Sequence, residues 1–246
     1  MKRSVFERFK QLKEIPSEKF PKHVLIIPDG NGRWAKKINN IPIIGHRQGL
    51  KVLKAVLTDL QDLPINIVTV WGFAADNWKR SEDEVAKLMK LFEESIKEML
   101  PDLLEKKGKF IHLGRKDRIP LSLKITIEEA EKTTKNNKGK IFCLAVDFGG
   151  EDQELRIMKE IQKLPKNTNV TADFVKKIRD GKGEIHPADL IIRTSGENRT
   201  SDIGWLGTNS EFYSVSKLLP DATIGDFVKA IIDYTKRERR FGARPK

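Results

Sequence analysis

The feature that most constrains this chain is an alternation. Short apolar runs, each bounded by turn residues, take turns with longer stretches of helical periodicity. The runs lie at 23–27 (HVLII), 65–72, 110–113, 140–146 and 189–192, and most are rich in Val and Ile. Helical patterns fall at 47–62, 82–105, 121–136, 153–163, 171–179 and 224–239. Strand–helix alternation of this kind predicts an α/β fold with a mostly parallel sheet covered on both faces. No internal repeat or long linker interrupts it, and 246 residues are enough to bury a core. A single α/β domain at 21–246, preceded by a terminal helix at 1–20, is the economical reading. In open α/β sheets ligands sit beyond the carboxyl ends of the strands, so segments that directly follow strands carry the most functional weight.

Lys and Arg outnumber Asp and Glu by 47 to 35, a net charge of +12. Such an excess points to anionic partners: nucleic acid, lipid headgroups or a phosphorylated small molecule. The sequence holds no RNP, helix-turn-helix or zinc pattern, and aromatics are only 7%, which argues against nucleic acid. The single cysteine, Cys143, excludes a disulfide scaffold and sits in an apolar run, where a buried inert thiol is expected. No uncharged run approaches the ~20 residues that span a bilayer. The N-terminus lacks an apolar signal core, so a cytoplasmic protein is expected. Val5, Phe6, Phe9 and Leu12 share one face of an amphipathic pattern there. That face reads as a helix docked on its own domain, or as a peripheral foot on an anionic membrane.

The first strand runs straight into Pro28-Asp29-Gly30-Asn31-Gly32-Arg33-Trp34. Two glycines let backbone approach a ligand closely. A helix start there offers N–H groups to an anion, and Arg33 adds a fork matched to phosphate oxygens. Asp29 has the wrong sign for phosphate unless a cation lies between them, which is how a Mg²⁺ site is built. Taken alone, Asp-Gly-Asn-Gly is equally well a turn. It is neither a Walker A loop nor a GxGxxG fingerprint. Two further strand ends carry arginines beside small or amide residues: Asn77-Trp78-Lys79-Arg80 and Arg193-Thr194-Ser195-Gly196-Glu197-Asn198-Arg199. Their recurrence is better explained by one polyanionic ligand than by solvated surface arginines.

HVLIIPDGNGRWAKK, GHRQG, WGFAADNWKRSEDEV, DFGGEDQELR, IIRTSGENR and the closing RERRFG resemble, in order, the conserved blocks of the cis-prenyltransferases, the undecaprenyl diphosphate synthase family. The resemblance runs from about Lys22 to Gly242. It implies one α/β domain with a six-stranded, mostly parallel sheet and an apolar tunnel, a homodimer, and Mg²⁺-dependent condensation of isopentenyl diphosphate with an allylic diphosphate. By the same resemblance Asp29 holds metal and diphosphate, and Glu211 helps hold Mg²⁺. Gly30, Asn31, Gly32 and Arg33 form the allylic diphosphate loop, with Trp34 behind it and His46 close by. Asn77 serves the proton-transfer step within the block that includes Trp78 and Arg80. Arg193, Ser195 and Arg199 bind isopentenyl diphosphate, and Arg240 and Gly242 reach toward a partner's site. Trp71 and Phe142 stand on strands where they could line the tunnel and stop chain growth, which favours a short or medium product.

The sequence departs from the family pattern around the diphosphates. The stretch before Gly45-His46 reads Asn40-Ile41-Pro42-Ile43 and lacks the usual arginine. Ala74 and Ala75 replace a Ser-containing pair, Asn198 replaces a His, and the loop 201–209 is one residue shorter. The alternatives these raise are a short-chain or irregular condensation, or a weakly active partner subunit.

Overall fold

The structure is a computed structural model, and it describes residues 3–242. The described elements are α1 (Val5–Arg8), β1 (His23–Ile27), α2 (Asn31–Lys37), α3 (Pro42–Leu60), β2 (Ile67–Ala74), α4 (Glu82–Glu105), β3 (Lys109–Leu113) and α5 (Leu121–Thr134). They continue with β4 (Ile141–Phe148), α6 (Gly150–Gln162), α7 (Ala172–Ile178), β5 (Leu190–Arg193), β6 (Glu211–Ser214) and α8 (Ile224–Thr235). The strands form a six-stranded sheet ordered β3-β4-β2-β1-β5-β6. Every crossover between paired parallel strands carries helix or long connection, as parallel pairing requires.

The chain divides into two compact units. The first comprises Met1–Val68, Pro187–Arg199 and Gly207–Lys246. Its strands pair in parallel, with Val24 opposite Leu190, Ile27 opposite Arg193, and Arg193 opposite Ser214. All five β1 residues are buried, which is why HVLII reads as a continuous apolar run rather than an alternating one. Asp189 ties the start of this sheet together. One carboxylate oxygen accepts the Lys22 and His23 N–H groups at 2.8 and 3.0 Å, and the other takes Arg239 at 2.7 Å.

The second unit comprises Thr69–His186 and Thr200–Leu206. There β3 pairs in parallel with β4, from Lys109 opposite Ile141 to Leu113 opposite Ala145. Helix α4 starts on Ser81, whose side chain accepts the Glu84 N–H, and carries Glu82, Asp83 and Glu84 in its first turn. Such a start satisfies an orphan donor and complements the helix dipole.

Two sequence expectations need correction. Of the helix expected at 1–20, the described residues from 3 onward do not hold one continuous amphipathic helix: a four-residue turn, α1, is followed by two short 3-10 segments. Phe9 leaves helical backbone at φ −129°, ψ 80°, and Pro16 precedes the second segment. Val5 and Leu12 are nonetheless fully buried and Arg8 pairs with Asp59 of α3, so half of the apolar face docks on the chain's own unit, while Phe6 and Phe9 are half-buried. Helix α3 begins at Pro42, five residues earlier than the pattern suggested. Proline is pre-set for the first helical position and needs no N–H there.

Candidate active site

In the first unit the site is built on two strand ends. Beyond β1 the chain turns at Gly30, which has φ 101°, a value an L side chain resists. A Cβ there would also lie 2.8 Å from the Leu218 side chain. The next close approach sets Gly45 and Gly49 of α3 against Asn31. A Cβ on Gly45 would lie 2.0 Å from the Asn31 carbonyl oxygen, and one on Gly49 2.1 Å from Asn31 Oδ1. The two glycines of the Gly-His-Arg-Gln-Gly block therefore seat the Asp29 turn on α3. Gly32 differs, for nothing lies within 4 Å of its missing Cβ, so its bareness leaves open space.

Asp29 is locked to the β5 exit. Its N–H donates to Thr194 Oγ1 at 2.8 Å, and that hydroxyl donates back to the Asp29 carbonyl at 2.7 Å. Its carboxylate takes Arg193 on Oδ2 at 2.9 Å and Arg33 on Oδ1 at 3.1 Å. Arg33 reaches on to Glu197 at 2.8 Å, and Glu197 also pairs with Arg199. Three guanidiniums thus share two carboxylates, which leaves the cluster one positive charge in excess. Burial by itself pushes the Asp29 carboxyl up, but Arg193 and Arg33 outweigh it and hold the group below the usual carboxylate range. Arg199 and Arg33 likewise hold Glu197 low.

The turn after β5 is strained in the same place. Ser195 has φ 86° and Gly196 φ 73°, and their N–H groups donate to Lys217 and Val215 carbonyls. The Ser195 hydroxyl is buried with no hydrogen-bond partner among the described residues. That hydroxyl, in the loop that carries Arg193 and Arg199, has an unused hydrogen bond to offer. Trp34 is fixed by its indole N–H, which donates to Asp221 at 2.7 Å, and His46 lies half-buried on α3.

Glu211 is not brought to this cluster. It opens β6 opposite Leu190, three residues before Ser214, so it lies about 10 Å along the strand from the level of Arg193. There it pairs with Arg237 at 2.8 Å. Arg240 pairs with Glu238 and Gly242 sits in a turn at φ 86°, both in the tail after α8. Asn198 is exposed. No group of three or more His, Cys, Asp or Glu side chains able to hold a metal occurs among the described residues.

In the second unit the exit of β2 forms a 3-10 turn over Ala75–Lys79. Asn77 closes it by accepting the Ala74 N–H on Oδ1 at 3.0 Å. Trp78 packs edge-on to Phe73, with ring centroids 5.3 Å apart, and donates its indole N–H to Asp147 at 2.8 Å. Arg80 pairs with Glu84 at 2.9 Å. Trp71 and Phe142 do not share a face. A Cβ on Gly72 would touch Phe92 of α4 and Leu144, so Leu144 and its alternate neighbour Phe142 face α4. Trp71 points the other way, buried, with its indole N–H donated to the Phe148 carbonyl at 3.1 Å.

Sequence reasoning passed over Glu197, Thr194, Asp221 and Asp147 as site residues. Thr194 and Asp147 are fully buried polar residues at strand ends, a signal that sequence alone carries only as position.

In the first unit these features make a cationic cradle of the kind a polyanion takes, and the comparisons give the family of the chain. The prenyltransferase family model, that of undecaprenyl diphosphate synthases, matches residues 27–242, and the chain belongs to this family. An isoprenyl transferase of Fusobacterium nucleatum is 39% identical over 223 residues, covering 90% of this chain and 96% of that protein. One from Clostridium perfringens is 38% identical over 231 residues, covering 92% and 91%. Among solved structures, lavandulyl diphosphate synthase from Lavandula x intermedia, in complex with dimethylallyl diphosphate, superposes with a TM-score of 0.84. It is 30% identical, and the match covers 92% of this chain and 99% of that one.

Proposed function

We propose that the chain condenses isopentenyl diphosphate with an allylic diphosphate to a cis-polyprenyl diphosphate, with Mg²⁺ as cofactor and as a homodimer. The single observation that carries this reading is the shared ion cluster Arg193–Asp29–Arg33–Glu197–Arg199. Its positive excess, its buried Ser195 hydroxyl and its open Gly32 suit diphosphate oxygens. Asp29 is the hard-oxygen donor that Mg²⁺ takes together with substrate phosphates, so the donor set fits the ion. When bound, Mg²⁺ would neutralise charge on the diphosphates.

The chain's own residues account for the rest. Breaking the allylic C–O bond leaves negative charge on pyrophosphate, and Arg33 and backbone N–H groups near Gly30 and Asn31 stabilise it as it develops. Arg193, Ser195 and Arg199 hold isopentenyl diphosphate so that its double bond attacks the allylic carbon. A proton then leaves the new chain for an oxygen of the released pyrophosphate, and Asn77, a neutral amide and no base, orients that transfer. The distance of Glu211 from Asp29 within one chain supports a role for Glu211 and the Arg240–Gly242 tail in a second copy's site. Among the described residues no helix is long and apolar enough to cross a membrane.

A second reading, an irregular condensation, is the alternative that Ala74, Ala75 and Asn198 raise, and the match to a lavandulyl diphosphate synthase in complex with dimethylallyl diphosphate makes that diphosphate the substrate to try. Mass spectrometry of products formed with Mg²⁺ from isopentenyl diphosphate and each of dimethylallyl, geranyl, farnesyl and geranylgeranyl diphosphate decides between them. Regular products grow by five-carbon units from the primer. A branched product from dimethylallyl diphosphate alone supports the second reading.

A further inference from the structure

Asp147 stands at the carboxyl end of β4 with its side chain fully buried. Its backbone has φ 56°, a left-handed conformation that Asp tolerates better than most residues but still pays for. The carboxylate accepts the Trp78 indole N–H at 2.8 Å and the Arg118 Nε–H at 2.8 Å, with a second Arg118 bond beside it. Its carbonyl accepts the Arg115 N–H at 3.1 Å. Gly114, at φ 118°, leaves no room for a Cβ, which would lie 2.7 Å from that same carbonyl oxygen. One residue therefore ties together the exits of three strands: β4 through itself, β3 through the 114–118 loop, and β2 through Trp78.

A neutral acceptor would serve if the indole merely needed a partner. Burying a charge instead demands a counter-ion, and Arg118 supplies it from a side chain 37% exposed. A charged, two-sided grip on the indole holds its ring in one orientation, with Phe73 against the ring. Trp78 directly follows Asn77, so a fixed indole fixes the turn in which Asn77 closes on Ala74.

We propose that Asp147, neutralised by Arg118, is a positioning residue for the reaction, acting through Trp78 to hold the Asn77 amide in its working place. This rests on the reading that Asn77 serves the condensation. A charge-assisted hydrogen bond is stiffer than a neutral one, which is the reason for an acid at this position. Asp147 itself touches no substrate.

The test uses the full-length chain with isopentenyl and farnesyl diphosphates. Steady-state kinetics are measured for Asp147→Asn, Asp147→Leu, Trp78→Phe and the double variant Asp147→Leu/Trp78→Phe. Indole N–H resonances of ¹⁵N-labelled protein are recorded alongside, that of Trp78 being assigned by its loss in Trp78→Phe. Asp147→Leu and Trp78→Phe should each lower kcat about tenfold or more, with KM for isopentenyl diphosphate within about twofold of wild type. The double variant should be no slower than the slower single one. Asp147→Asn keeps an oxygen for the indole and should recover part of kcat, and it carries the test if Asp147→Leu fails to fold. The Trp78 resonance should shift in both Asp147 variants. A kcat within about twofold of wild type in folded Asp147 variants, or multiplicative losses in the double, would overturn the proposal. A wild-type chain inert toward every substrate pair would remove the reading of the reaction instead. The resonance would then decide the geometry by itself, an unmoved Trp78 signal refuting the grip.

Discussion

Asp29 and Arg193 are 164 residues apart in sequence, yet the carboxylate of one meets the guanidinium of the other at 2.9 Å. The pairing follows from register. Ile27 lies opposite Arg193 in the β1–β5 pair, so the turn after β1 folds back over the last residue of β5. Arg193 is almost entirely buried, and its other amino group donates to the Arg199 carbonyl at 2.7 Å. Arg193 thus has a structural share in the cradle as well as a charge to offer, whereas Arg199 is largely exposed.

That difference separates two substitutions. Arg199→Ala should raise KM for isopentenyl diphosphate by roughly tenfold to a hundredfold, the loss of about 1.5–3 kcal/mol of charge-assisted bonding, with little change in Tm. Arg193→Ala should lower Tm as well, because Asp29 loses a buried counter-ion. Initial rates at varied concentrations of each substrate, with thermal melts, check both. Equal KM effects of Arg199→Ala on the two substrates would mean that the two diphosphate positions are exchanged.

Product length should respond to Phe142 and not to Trp71. Phe142 shares the α4 face with Gly72 and Phe92, where an apolar chain would be bounded, while Trp71 is anchored in the core on the other face. Phe142→Ala should shift products toward longer chains. Trp71→Ala should cost about 3–5 kcal/mol of stability as a core truncation and leave the distribution where it was. Product mass spectra and denaturant melts distinguish the two, and a lengthened product from Trp71→Ala would refute the assignment of faces.

His112 gives the fold a pH dependence. It is fully buried, with Nε2 3.0 Å from the Val146 carbonyl, and burial first of all, helped by Lys116, pushes its pKa down to about 4. The folded chain therefore keeps His112 neutral where the unfolded chain, with a pKa near 6.5, takes up a proton. Stability should be full above pH 6.5 and fall as pH drops toward 4, by about 3 kcal/mol from this group, then level off. Urea melts from pH 7.5 to 4 of wild type and His112→Gln check this. The variant should have the shallower slope between pH 6.5 and 4, the difference from wild type being the His112 contribution.

The strand–helix alternation made most of the fold legible. HVLII matched β1 residue for residue and 82–105 matched α4, because both are bounded by strong local signals. Strand β6 escaped notice since EFYS is only four residues long and half-exposed on every one of them, so it has neither a run nor an alternation to read. The N-terminal segment misled because its apolar spacing is helical while Phe9 and Pro16 break the backbone. At the site, Asp29, Arg33, Arg193 and Arg199 could be picked out as residue types following strands. Who pairs with whom could not, since Glu197 joins Arg33 to Arg199 only through the register of β1 against β5. The faces of Trp71 and Phe142 depended on cross-strand contacts in the same way. Period-two alternation sets relative faces along one strand but not which face meets a helix.

The most direct test of the central claim is the turnover of Asp29→Ala with isopentenyl and farnesyl diphosphates at saturating Mg²⁺, read beside its thermal melt. Asp29 is the carboxylate on which Arg193 and Arg33 converge. Its loss should cost about 4 kcal/mol or more of barrier, roughly a thousandfold in rate, while the protein stays folded. A folded Asp29→Ala protein that keeps more than about a tenth of wild-type turnover would contradict the assignment of this cradle to the diphosphate chemistry.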